Sequence, residues 1–232
     1  MKFIIYLFCL IFSLFLQAYD ENDLITLKKT KKCENCDLTK ANLSKLDLSN
    51  AILTGSNLSL ANQTNTNFFK ADLSFSSLVK SKIYIANLDF ANLEGVNLTE
   101  ARLNGASLRG ANLIDATLIS SVLSRGQLDQ IILHGANLKY TKFRGAYLKK
   151  AKFNGSSLSF TDFSAADLTE AEMIALDLTN SVFTSAKLDK INFVNTKVSG
   201  MNFAKFNLTK GNFINSITCD TIFPWGEDIE KC

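Results

Sequence analysis

CDLTKANLSKLDLSNAILTGSNLSLANQTNTNFFKADLSF, residues 36–75, divides into eight units of five. The third residue of each unit is apolar, except Gln63. The first is mostly Ala, Ser or Thr, and the second is often Asn or Asp. The register continues without a slip from Leu38 to Phe223, 38 units in all, and only Gln63 and Thr218 place a polar residue at the centre. A period of five fits neither a helix (3.6) nor a strand (2). An unbroken short repeat of this kind predicts a solenoid, in which each unit buries its apolar group only by stacking on its neighbours.

Units such as ANLEG (91–95), ANLID (111–115), ANLKY (136–140) and ADLTE (166–170) resemble the pentapeptide-repeat family, and the resemblance covers residues 36–223. It implies an all-β fold: a right-handed quadrilateral β-helix of about nine coils, twenty residues to the coil. The central residue and the small residue two before it then point inward, and the other three point out.

Two patterns in the residues agree with four sides. From Leu138 to Phe193 the centres alternate between Phe or Met and Leu. Such alternation stacks like on like only with an even number of sides. Four sides place Phe143, Phe163, Phe183, Phe203 and Phe223 in one internal column, with Phe153, Phe193 and Phe213 opposite. Charges also recur at a spacing of twenty. Ten such pairs have opposite sign, among them Lys80/Glu100, Asp89/Arg109, Lys142/Asp162 and Lys150/Glu170, while Lys82/Arg102 and Lys190/Lys210 have like sign. Residues on stacked coils lie about 4.8 Å apart, where opposite charges stabilise and like charges do not. The basic stretch KFRGAYLKKAKF (142–153) is thus expected to be a girdle answered by acids on adjacent coils, with Arg144 alone lacking a partner, and no nucleic-acid surface is expected.

The ends depart from the repeat. MKFIIYLFCLIFSLFLQA, residues 1–18, has a basic start and a fourteen-residue apolar run from Phe3 to Leu16, the pattern of a signal peptide. That run is shorter than the ~20 residues needed to span a bilayer, so no stable membrane insertion is expected after cleavage. The predicted protein is exported, to a periplasm, a thylakoid lumen or the extracellular space. Removing Lys2 leaves a net charge of +2, against +3 for the whole chain. Residues 19–35 form a predicted N-terminal cap: DENDLITLKKTKK (20–32) reads as a short helix with acids first and bases last, laying Leu24 and Leu27 over the first coil. Residues 224–232 form a C-terminal tail that brings Trp225 over the last coil. Large residues at inward positions, Ile191, Met201 and Phe206, predict coils that widen toward this end.

Four cysteines follow the signal segment: Cys33, Cys36, Cys219 and Cys232. An even count in an exported chain predicts disulfides. With nine coils between Cys36 and Cys219 the two ends lie about 40 Å apart, far beyond the ~7 Å a disulfide tolerates, which leaves Cys33–Cys36 and Cys219–Cys232. The flanks of both pairs also look like the terminal pieces of exported pentapeptide-repeat proteins. A competing reading makes Cys33-Glu34-Asn35-Cys36 a redox dithiol of a thiol oxidoreductase. A redox motif is expected at a helix N-terminus, whereas this one follows a predicted helix.

No catalytic, cofactor or metal motif is present in the sequence, and His134, the single histidine, falls at an outward position. The expected function is that of a non-catalytic structural or protein-interaction solenoid with an unknown protein partner; neither a monomer nor a homodimer is singled out. The family also includes cytoplasmic, acidic DNA mimics that protect topoisomerases, a second reading which the near-neutral charge opposes. Ile174, Val194 and Ile214 share one outward position on successive coils and form a candidate interaction stripe. Phe69, Phe75, Tyr84, Ile85 and Phe90 add outward apolar groups nearer the other end. Gln63 is expected to satisfy its amide on the backbone at a local bulge.

Overall fold

Each five-residue unit contributes one strand-like bridge and one turn, and four units close a coil. The bridges are parallel and join residues twenty apart, from Lys32↔Ile52 to Asn202↔Ile222. A computed structural model describes residues 19–228. The signal-peptide reading of residues 1–18 and the pairing of Cys232 lie outside the described residues. Four bridges per turn give four walls and four corners. We number the walls by their outward residues: wall 1 carries Asn97 and Thr99, wall 2 Arg102 and Asn104, wall 3 Ser107 and Arg109, and wall 4 Asn112 and Ile114.

The composition of the repeat follows from this geometry. The two residues flanking each centre lie on the same outer face of an extended segment, while the centre points in. The central leucines from Leu38 to Leu138 are all but completely buried, as are the alanines two before many of them. Where that small position is Thr, its hydroxyl donates to a carbonyl on the preceding coil, as Thr66 does to Leu43 (2.8 Å) and Thr141 to Leu118 (2.7 Å). The preference for Asn or Asp before the centre has a double cause. The Oδ1 atoms of Asn67 and Asn92 accept the N–H two residues on (3.1 and 3.3 Å), closing the turn. Their Nδ2 groups donate to Asp47 and Asp72 one coil below (2.8 and 3.2 Å). The ladder runs on through Asn87 and Asn112.

The aromatic columns form as the alternation predicts. Phe143, Phe163 and Phe183 stack at centroid separations of 5.2 and 5.1 Å, and Phe193 stacks on Phe213 at 5.2 Å. The two columns meet edge to face across the core, as Phe153 does with Phe163 at 5.6 Å. Outside, Tyr140 stacks on Phe160 at 5.1 Å. Large residues at corners are accommodated by glycine one coil further on. The Phe75 ring lies over Gly95, where an added Cβ would come within 2.6 Å of it, and Phe90 lies over Gly110 in the same way.

The first coil is closed by α1, Glu21–Thr30. Asp20 caps it by accepting from the N–H groups of Asn22 and Asp23, acids occupy its first turn and lysines its last. Leu24 and Leu27 are buried in the core, and the Asp23 carboxylate accepts the Asp37 N–H at 2.7 Å. At the other end β1 (Thr221–Phe223) and β2 (Gly226–Asp228) form an antiparallel hairpin, with Trp225 stacked on Phe223 at 4.7 Å.

The sequence register holds to Phe223, but the ladder does not. No bridge joins 182 to 202, 187 to 207 or 192 to 212, and Lys210–Phe213 forms a 3₁₀ turn. Phe206 stands where the repeat places a small inward residue; its ring packs 5.9 Å from Phe203 and stays partly buried, so the backbone there is displaced outward. Phe183 and Phe203 are accordingly tilted by 50° and separated by 6.3 Å.

Gln63 is fully buried, and neither its Oε1 nor its Nε2 has a hydrogen-bond partner. No bulge forms. The Gln63 N–H donates to Lys82 and its carbonyl accepts from Thr66, as in a regular unit, so the backbone has no spare group to offer the side chain.

Candidate functional site

Five of the ten opposite-sign pairs close as ion pairs among the described residues: Lys80–Glu100, Arg109–Asp89, Lys150–Glu170, Lys187–Asp167 and Lys197–Asp177, at 2.7–3.7 Å. The basic stretch corrects the expectation. Arg144 has a partner, its Nε lying 3.8 Å from Asp162, whereas Lys142 and Lys152 form no ion pair among the described residues and Glu172 accepts from Asn154. Lys149 Nζ reaches Asp167 at 4.0 Å, while Asp129 accepts only the Lys149 N–H. These contacts link residues eighteen apart. The groups before and after each centre share a wall, so a long side chain reaches diagonally to the next coil. Sequence counting at twenty alone misses this.

Asp89 is the most enclosed of the paired acids. It accepts from Ser107 Oγ, from the Arg109 N–H (2.9 Å), and from Arg109 Nε and Nη2 (2.9 and 2.7 Å). Burial alone pushes its carboxyl up, but the Arg109 and Ser107 hydrogen bonds outweigh this and hold it below the ordinary carboxylate range. With every oxygen engaged, it is a structural clamp between coils.

Cys33 and Cys36 are joined in a disulfide with Cα atoms 5.5 Å apart, and both are buried. Cys33 Sγ lies 3.3 Å from the Asp23 carbonyl oxygen, so the pair packs against the first turn of α1 but follows that helix in the chain and does not open one. Asp23, Cys33 and Cys36 are close enough together to be considered as metal ligands. The two sulfurs are bonded to each other, however, and Asp23 is engaged by Asp37. Cys219 is also in a disulfide, and its partner lies outside the described residues.

The candidate interaction stripe is assembled on wall 4. Val194 and Ile174 are half-buried and Ile214 is exposed, and backbone hydrogen bonds from Ala175 to Val194 and from Asn195 to Ile214 set the three on successive coils. Near the other end Phe75, Ile85 and Phe90 are exposed, whereas Phe69 is half-buried against Phe90 at 6.0 Å and Tyr84 is half-buried. His134 is half-buried on wall 4. A cleft of about 720 Å³ opens where the ladder breaks, between residues 179–186 and 199–206. Lys205 is the one ionisable side chain lining it, so it holds no acid–base pair. Among the described residues, no helix is long and apolar enough to cross a membrane.

Stacked parallel coils, a filled core and polar outer walls define a β-solenoid repeat protein. Pentapeptide repeats, in eight copies, match residues 32–55, 86–125, 131–169 and 161–200, over half of the chain. The protein belongs to the pentapeptide-repeat family and has its right-handed quadrilateral β-helix fold. Among solved structures it is similar to HetL, a pentapeptide repeat protein involved in heterocyst differentiation regulation from the cyanobacterium Nostoc sp. strain PCC 7120. The identity is 29% over 84% of this chain and 88% of that one, with a TM-score of 0.79. A trypsin-treated form of QnrB1, a plasmid-mediated fluoroquinolone resistance protein, is 21% identical over 69% of this chain and 81% of that one, with a TM-score of 0.49. No sequence among the curated proteins matches the chain significantly.

Proposed function

We propose that the protein is a non-catalytic, exported solenoid that binds a protein partner through wall 4. The observation that carries this reading is the stripe of Ile174, Val194 and Ile214, which sets adjoining apolar groups on three successive coils of wall 4, beside Glu172, Asn192 and Asn212. The filled core supports it, since it leaves catalytic groups no desolvated site among the described residues. Export is supported by the apolar N-terminal segment and by the disulfide at Cys33–Cys36. In this reading Cys232 is the partner of Cys219, and the two disulfides staple the ends of the tube. The basic character of wall 2, described below, weighs against a DNA mimic.

Affinity capture of the tagged protein from the envelope or secreted fraction of its own cells tests the proposal. The Val194→Glu/Ile214→Glu double variant is the control. The expected result is a partner held by the unaltered protein and lost from the variant. Equal capture by both, or retention of the protein in the cytosol, overturns it.

A further inference from the structure

The four walls differ in basic charge. Between residues 80 and 145, wall 2 and its two bounding corners carry six basic residues, Lys80, Lys82, Arg102, Arg125, Lys142 and Arg144, and one acid, Glu100. All six are exposed. The other walls over the same span hold two basic residues, Arg109 and Lys139, and four acids, Asp89, Glu94, Asp115 and Asp129. Over this span the charge is therefore segregated by wall, while Lys149 on wall 3 and Lys152 on wall 4 continue the basic stretch 142–153 around the tube as a girdle. Lys82 and Arg102 are direct bridge partners of like sign, an arrangement that destabilises a ladder. Arg102 Nη1 donates to a neutral group, the Tyr84 hydroxyl, at 3.5 Å.

Apolar groups project from both corners of this wall. Ile85 is 67% exposed, and Tyr140 is 52% exposed with Phe160 stacked beside it. Ile85 also holds φ at 56°, a conformation a β-branched residue rarely adopts. Lys80 and Arg144 are in ion pairs with Glu100 and Asp162, but Lys82, Arg102 and Lys142 form none among the described residues, and a flat wall that combines such cations with large apolar groups at its rims matches a surface with anionic headgroups above an apolar layer. A soluble linear polyanion would use the cations and leave Ile85 and Tyr140 idle. Lys and Arg near an anionic leaflet are attracted to it, and amphipathic rings settle at the headgroup level. We propose that wall 2 docks onto the surface of an anionic lipid bilayer, with Lys82, Arg102 and Lys142 facing the headgroups and Ile85 and Tyr140 entering the interface. This face is opposite wall 4, so both surfaces can be occupied at once.

Co-sedimentation with vesicles of phosphatidylcholine alone, or of phosphatidylcholine with phosphatidylglycerol, tests the assignment. The protein is expected to sediment only with the anionic vesicles, and to be released by high salt. Lys82→Glu/Arg102→Glu should weaken partitioning at least 25-fold, taking about fivefold for each charge. Ile85→Ser/Tyr140→Ser should weaken it further at constant charge. Each variant is outward-facing, and unchanged circular dichroism melting verifies its fold. Binding to dextran sulfate without binding to anionic vesicles overturns the lipid assignment, as does equal binding to both vesicle types, to neither, or by the charge-reversed variant. Wall 4 variants should leave vesicle binding unchanged, which separates failure of this inference from failure of the partner proposal.

Discussion

Phe163→Ala is expected to lower stability by about 3–5 kcal/mol, the range for removing a fully buried Phe. Phe163 has no exposed surface and stacks between Phe143 at 5.2 Å and Phe183 at 5.1 Å, with the edge of Phe153 at 5.6 Å. Coils above and below are held by their own ladders, so the void cannot collapse far, which places the loss toward the upper part of the range. For a chain of this size each kcal/mol shifts Tm by about 2–4 °C, and thermal unfolding followed by circular dichroism should show a fall near 10 °C. Phe223→Ala, in the same column but at its open end beside Trp225, should cost less. Equal effects at the two positions would show that the column does not behave as a stack.

Gln63→Leu should act in the opposite direction and stabilise the protein by about 1–3 kcal/mol, since it removes an amide whose donor and acceptor are both buried without partners. Leu43 and Ile83 occupy the same column one coil below and above, and both are fully buried, so leucine continues an existing apolar stack. Urea denaturation gives the sign directly: the midpoint should rise while the slope stays constant. A lower midpoint would mean that the amide is satisfied in solution and that Gln63 holds its coil in place.

The sequence carried most of the architecture because the repeat is its own alignment. Side-chain period, small inward residues and aromatic alternation all report the same geometry, and the stacking of Phe143 on Phe163 follows from them. It carried less of the surface. Charge pairs counted at twenty are right for Lys150–Glu170 but wrong for Lys142, because long side chains choose between a vertical and a diagonal neighbour. The break near Phe206 was legible only as a size mismatch; how far the backbone moves depends on packing that no local pattern encodes. The basic wall was hidden for another reason. The like-sign pair Lys82/Arg102 was legible at the spacing of twenty, but in the linear chain the residues of this wall are interleaved with those of three other walls, and only the coil gathers Lys82, Arg102, Arg125, Lys142 and Arg144 on one side.

The central claim is that one revolution takes twenty residues, so that residues twenty apart on a wall are direct neighbours. Crosslinking introduced thiols with a short bifunctional reagent such as dibromobimane, followed by peptide mapping, tests it most directly. The pair Asn97→Cys with Thr117→Cys, which are bridge partners, should crosslink rapidly and within one chain. The pair Asn97→Cys with Asn112→Cys, on adjacent walls, should not. Efficient crosslinking at the spacing of fifteen and none at twenty would mean a three-sided coil, and would contradict both the buried columns and the basic wall.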